Sequence, residues 1–270
     1  MLLLPWHLLD DLTGGLNVNR PAGTVEVHAR PGSTGEAWTD LIDLYRPLRD
    51  AIAAGDGVPV VLSGDCVASL AVIAGIQQRG IEPSLVWFDA HGDFHTEDTT
   101  TSGYLGGLPL AKAVGRGDPT LPAGLGLTPL PEPSVLLVDG RDLDPAEAEA
   151  LASSAVGRAS VAGLDTSSLL GGPVIVHVDL DVIDPAQLSG LRFPAPGGPA
   201  LSEVAAAVRT IAQARPVVAL DVAATWRPDD TDRTQTDAAV AAVLAAAGAE
   251  TGSGTRPPRR CRSTTFRDSR

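Results

Sequence analysis

Lysine is almost missing from this sequence: Lys112 is the only one among 20 basic residues, set against 33 acids for a formal charge of −13. A body this acidic offers phosphate no basic surface, which argues against nucleic acid or an anionic membrane as partner. Cysteine is scarce too. Cys66 and Cys261 are the two present, too few for a disulfide framework, and no charged and apolar leader follows Met1. A cytoplasmic location is the resulting expectation. No apolar run reaches the roughly 18 residues that a bilayer span needs. The Ala-rich stretch 238–247, preceded by Asp237 and ended by Gly248, reads as a capped helix.

What is present is an alternation of apolar runs. Residues 2–4, 58–62, 85–88, 135–138, 174–178 and 217–220 read as strands, and 36–54, 67–78, 108–114, 201–212 and 237–247 as helices, with a further helix starting at Pro145. Pro47 is expected to kink the first helix or mark a second start, and residues 10–35 and 115–133 read as loop. Strands alternating with helices predict a three-layer α-β-α sandwich around a mainly parallel sheet. At 270 residues one domain is expected, over 1–248. Residues 250–270 differ in kind. They carry six basic and two acidic residues, so the end of the chain is +4 and the rest −17. The stretch 249–270 reads as a disordered tail; a basic arm for a partner, or the product of a shifted reading frame, would look the same.

Chemistry gathers after two of the apolar runs. The first ends in Asp89-Ala90-His91-Gly92-Asp93-Phe94-His95, and the second in His177-Val178-Asp179-Leu180-Asp181. Alternation along a strand would put Asp89, His91 and Asp93 on one side, and His177, Asp179 and Asp181 likewise. A lone residue of this kind is ordinarily a solvated Asp or a hydrogen-bonded His. Crowded together, they would repel one another without cations between them. Other apolar runs also lead into Asp, at Asp65, Asp139 and Asp221, and ligands of parallel sheets bind outside the carboxyl ends of the strands.

Asp-Ala-His-Gly-Asp and Asp-Leu-Asp-x-x-Asp-Pro resemble the two signature motifs of the ureohydrolase family of arginases, agmatinases and formimidoylglutamases. Gly140-Arg141-Asp142-Leu143-Asp144-Pro145-x-Glu147 resembles the segment between them. The resemblance spans roughly residues 58–248. It implies an arginase-like fold and a binuclear manganese centre in which Asp89 and Asp179 bridge two ions, His91 and Asp181 complete one, and Asp93 completes the other. Asp93 would also orient the attacking water and pass a proton to the leaving amine. Asp142, Asp144 and Glu147 match positions near a substrate amino group, and Ser102 one near its carboxylate. Helix capping is the competing reading of Asp144 and Glu147. The resemblance also implies a homo-oligomer, a trimer or hexamer.

The departures concern metal and substrate alike. The remaining ligand of the second ion is a His in the family and Cys66 here, in Ser63-Gly64-Asp65-Cys66. A thiolate favours zinc or iron over manganese, and a helix start is expected to lower its pKa; a small buried hydrophobe is the other reading. His177 reads as a hydrogen-bonded neighbour of the ligands rather than a ligand. A carboxylate-binding Asn is His95 and another is Tyr104, an active-site His is Gly106, and the Glu that pairs with guanidinium is Ala224. His95 suits a proton shuttle, with a surface-loop His as the alternative.

The expectation is a metal-dependent hydrolase that cleaves a carbon–nitrogen bond in a small guanidino or amidino substrate other than plain arginine, such as an N-hydroxyguanidine. Two rivals stand beside it. A single-zinc deacetylase would use fewer carboxylates. A catalytically weak metal-binding relative would serve in binding or scaffolding.

Overall fold

The structure, a computed structural model, describes residues 1–12, 23–164, 171–224 and 233–249. Its strands are β1 (Leu2–Leu4), β2 (Trp6–His7), β3 (Asp10–Asp11), β4 (Val25–Glu26), β5 (Val60–Ser63), β6 (Ser84–Asp89), β7 (Val135–Asp139), β8 (Gly157–Ala159), β9 (Val174–Asp179) and β10 (Val217–Ala223). Eight of them form one sheet in the order β4-β1-β5-β10-β9-β6-β7-β8, and every pairing in it is parallel. β2 and β3 make a separate antiparallel ribbon.

A parallel sheet needs apolar cover on both faces, and β6 shows how the sequence supplies it. Leu85 and Trp87 point into a core shared with α1 (Ala37–Ala54), α2 (Ser69–Gln78), α3 (Pro109–Ala113) and α4 (Thr120–Leu125). Leu151 of α5 (Pro145–Ala152) joins the same core. Val86 and Phe88 point the other way, toward α6 (Leu201–Ala214) and α7 (Thr234–Ala246). The three expected layers are present.

Element bounds moved where local signals were weak. Residues 10–35 hold β3 and β4, pairs too short for any period, and 115–133 hold α4. β8 was missed for the same reason. Pro47 lies inside one continuous helix of 18 residues rather than breaking it; α1 is held by its buried face of Leu41, Leu44, Tyr45, Leu48 and Ile52. The tail at 250–270 lies outside the described residues.

The connectivity positions the site. From β5 the chain crosses three places along the sheet to β6, and the gap is filled later by β9 and β10. The carboxyl ends of β5, β9 and β6 thereby come together on chain segments more than twenty and more than eighty residues apart. No helix among the described residues is long and apolar enough to cross a membrane.

Candidate metal centre

Two Asp residues close their strands in the same way. Asp89 ends β6 and its Oδ1 accepts the backbone N–H of His91 at 2.7 Å; Asp179 ends β9 and its Oδ1 accepts the N–H of Asp181 at 2.8 Å. Each is a turn in which a carboxylate bonds the backbone two residues on. These turns, rather than continued strand alternation, bring the later ligands back over the site, since both strands stop at their Asp. Asp93 goes further. Its φ of +50° is left-handed, a conformation that Asp tolerates better than most residues. Its carbonyl accepts the N–H groups of Leu110 and Ala111 at 3.0 and 3.1 Å, which anchors that bend to α3.

The third contribution comes from β5. Asp65 turns away from the cavity, accepting from the Tyr45 hydroxyl at 2.8 Å and from the N–H groups of Leu8 and Ala68. That fixes the turn on which Cys66 stands, and the Cys66 thiol donates to Asp179 Oδ2 at 2.8 Å. Cys66, Asp89, His91, Asp93, Asp179 and Asp181 therefore share one cavity of about 340 Å³.

The electrostatics show what this cluster needs. Burial, reinforced by the Asp89 carboxylate, pushes Asp93 well above the ordinary carboxylate range. Burial together with Asp181 and Asp89 does the same to Asp179, and burial with Asp89 raises Asp181 to about 6. Asp89 alone is lowered: burial opposes this, but the bonds from His91 outweigh it. His91 lies 3.2 Å from Asp181 and 3.3 Å from Asp89, and although burial works against its charge, the two carboxylates push it up to about 12. The cluster thus holds the imidazolium as its cation, a part that a metal ion takes over by displacing protons.

The Cys66 thiol is not lowered, contrary to the helix-start argument. Burial raises it, and the carboxylates of Asp179, Asp93 and Asp89 raise it further. The local dipole is outvoted by three nearby acids.

Divalent cations fit this donor set on two further counts. Asp93 Oδ2 is buried with no hydrogen-bond partner among the described residues, a cost of about 1–3 kcal/mol that coordination would remove. Two groups of ligand atoms, from Cys66, Asp89 and His177 and from Asp89, His91 and Asp181, each lie within 4.8 Å of one another. Asp89 belongs to both.

The remaining expected site residues line the same cavity: His95, Ser102, Asp142, Asp144 and Glu147. His95 is not a surface-loop residue, being 8% exposed, with Nε2 3.3 Å from Asp144 and Nδ1 3.1 Å from the Thr99 hydroxyl. The capping reading of Asp144 and Glu147 fails, because Asp144 makes no side-chain cap bond to α5 and Glu147 Oε1 accepts the N–H of Phe94 at 2.9 Å. Ala224 is buried with the α6 and α7 core and does not line the cavity. Sequence reasoning missed Phe193, whose ring lies 4.9 Å from that of Tyr104 and 6.4 Å from that of His91. Nothing in its neighbourhood, Leu191-Arg192-Phe193-Pro194, signals a cavity wall. It also missed His7, which is buried and braces Tyr104 by a 3.3 Å bond while holding Gly64 O at 2.8 Å.

Known proteins resemble this chain in sequence and fold. A family model described as the arginase family matches residues 22–248. The N(omega)-hydroxy-L-arginine amidinohydrolase of Streptomyces lavendulae is 31% identical over 195 residues, 70% of this chain and 68% of the relative. The arginase of Eremothecium gossypii is 32% identical over 208 residues, 71% of this chain and 51% of the relative. Among solved structures, the arginase from Bacillus cereus superposes with a TM-score of 0.73 at 23% identity over 84% of both chains. Formimidoylglutamase from Bacillus subtilis superposes at 0.63 with 21% identity, over 82% of this chain and 69% of that one.

Proposed function

This chain belongs to the arginase family, and on that premise we propose that it hydrolyses a carbon–nitrogen bond of a weakly basic guanidine, of the N-hydroxyguanidine class, at a two-ion centre. The observation that carries the reading is the convergence of Cys66, Asp89, His91, Asp93, Asp179 and Asp181 on one cavity, under His95 and Asp144. Asp89 and Asp179 would be shared between the ions, with His91 and Asp181 on one side and Cys66 and Asp93 on the other. Divalent ions held by such ligands lower the pKa of water from 15.7 to about 7, which supplies a nucleophile at neutral pH.

The chain's own residues do the rest. Water adds to the central carbon of the guanidine, the bond to the alkyl nitrogen breaks, and the departing amine takes a proton. Asp93 lines the cavity, and its carboxylate would take the proton from water and return it to the departing amine. His95 passes protons between the cavity and solvent through its contact with Asp144. Asp142, Asp144 and Glu147 suit the amino group at the far end of an amino-acid substrate, and Ser102 its carboxylate.

Substrate class follows from what the wall lacks. With Ala224 buried in the core, no carboxylate among the described residues stands at that position to form the charge-assisted pair that a full guanidinium wants, an interaction of about 1.5–3 kcal/mol. A less basic head loses nothing by that. The relative from Streptomyces, named for N-hydroxy-arginine, supports the choice. Two metals enter the proposal: manganese from the carboxylates and His91, and zinc or iron from Cys66. We further propose that the protein is a homo-oligomer in a cytoplasmic setting.

The test compares N-hydroxy-L-arginine, L-arginine and agmatine with protein reloaded with manganese and with zinc. A kcat/KM at least ten times higher for the hydroxylated substrate is expected. Turnover of arginine equal to or above it would overturn the substrate assignment.

A further inference from the structure

His177, expected as a hydrogen-bonded neighbour of the ligands, lies two residues before Asp179 on β9 and is wholly buried. It is in register with Trp87 on β6 and with Asp221 on β10, so the three side chains form a row on one face of the sheet. Trp87 covers the imidazole at a centroid distance of 3.7 Å, and its indole N–H donates to Asp89 Oδ2 at 3.1 Å. The row is one pleat beneath the carboxylates that line the cavity.

The bonds of His177 fix its tautomer. Nδ1 lies 2.9 Å from Asp221 Oδ2 and 2.8 Å from the Ser69 hydroxyl. Ser69 spends its own proton on Asp221 Oδ2. The ring proton therefore sits on Nδ1, facing the carboxylate, and Nε2 carries a lone pair. That nitrogen is buried and has no hydrogen-bond partner among the described residues. An Asp holding the far nitrogen of an imidazole is the usual support of a metal-bound histidine, because it sets the tautomer and raises the basicity of the coordinating nitrogen. A serine-histidine-aspartate relay is excluded by the same geometry: Ser69 and Asp221 crowd the same nitrogen, and none of the three lines the cavity.

A ring nitrogen of His177 and atoms of Cys66 and Asp89 lie within 4.8 Å of one another, a separation that ligands of a common ion can close. We infer that His177 is a direct ligand of the Cys66-side ion, so that a histidine delivered through the floor of the sheet takes over from the one absent at position 66. This rests on the two-ion reading above and deepens it. With one thiolate and one imidazole beside Asp93 and the shared Asp89 and Asp179, the Cys66 side is a softer donor set than the His91 side, which has one imidazole and carboxylates alone. The Cys66 side is therefore selective for zinc, cobalt(II) or iron(II), and the His91 side keeps the preference for manganese. The departure at position 66 becomes a change of ligands rather than the loss of a site.

X-ray absorption of the wild-type protein carrying one equivalent of zinc reads the ligands directly. The expected spectrum has one sulfur at about 2.3 Å and at least one imidazole on the same ion. His177→Gln should keep the sulfur, lose the imidazole scattering, and weaken zinc binding by about 10- to 100-fold. Asp221→Asn, which can donate to Nδ1 and move the ring proton to Nε2, should weaken it over the same range. Sulfur without imidazole in the wild type, or imidazole scattering unchanged in His177→Gln, would overturn the inference while leaving a two-ion centre intact. Binding of no more than one ion at saturation would instead sink the two-ion reading. Because the first measurement uses unaltered protein, poor folding of a variant does not remove the test.

Discussion

The carboxylate of Glu147 accepts the backbone N–H of Phe94 at 2.9 Å, a bond that ties α5 to the loop carrying Asp93 and His95. Gly92 makes room for it. A Cβ at position 92 would stand 2.5 Å from the Glu147 carboxyl carbon. Gly92→Ala should therefore displace that carboxylate and shift the loop, lowering kcat/KM by about 100-fold, the loss that a misplacement near 1 Å can cause. Steady-state kinetics and circular dichroism together check it: activity falls while the helical signal stays.

Asp93→Asn removes a proton acceptor but keeps the size of the side chain. The expected loss in kcat is about 100- to 10,000-fold, the range of general acid–base catalysis. A variant that retains a tenth of wild-type kcat would take Asp93 out of the proton-transfer role.

His95 and Asp144 touch at 3.3 Å at the mouth of the site. His95→Asn is expected to lower kcat about 100-fold and to remove one limb of the pH–rate profile, with KM changing much less. If kcat and the profile stay as in wild type, His95 is not the shuttle.

Stripping the ions should change how stability depends on pH. Asp93 and Asp179 hold their protons well above the ordinary carboxylate range, and Asp181 to about 6. A carboxyl raised in the folded state binds more protons there than in the unfolded chain, so stability falls as pH rises through that window. The metal-free protein is thus expected to be more stable near pH 5 than near pH 7, and the metal-loaded protein to lose that slope. Urea denaturation at the two pH values, with and without chelator, reads the sign.

Lys112 is 1% exposed, lies over the Trp38 ring, and donates to Glu97 at 2.5 Å and to Asp118 O at 2.8 Å. Glu97→Gln leaves that ammonium without its counter-charge. We expect a loss of about 1–2 kcal/mol at pH 7, below the 3–5 typical of a broken buried pair because Glu97 is itself partly solvated. Glu97 is lowered below its ordinary pKa: burial opposes the shift, but the bond from Lys112 outweighs it. The contribution is therefore present above pH 4.5 and is lost as pH falls through the folded value. Urea midpoints of wild type and variant should converge there.

Periodicity alone carried the layer order and the main strands, because buried parallel strands and two-sided helices leave strong apolar signals in Leu85–Phe88, Val174–Val178 and α1. Short elements left none. β4, β8 and α4 are held by neighbours distant in sequence, and β3 pairs only with the two residues of β2, too few for a period.

The sequence by itself determined the chemical types in the site, since Asp89, His91, Asp93, Asp179 and Asp181 are spaced by turns that each Asp closes on its own backbone. Tertiary structure decided which of the others could join them. Cys66, His177 and Asp221 lie on three different strands or strand ends, and only the register of β9 against β10 and β6 sets the imidazole between Asp221 and Trp87. Phe193 and His7 reached the site, and Ala224 left it, by the same long-range packing. A local turn can be read from a few residues; a row across strands depends on backbone hydrogen bonds between segments that the chain separates by dozens of residues.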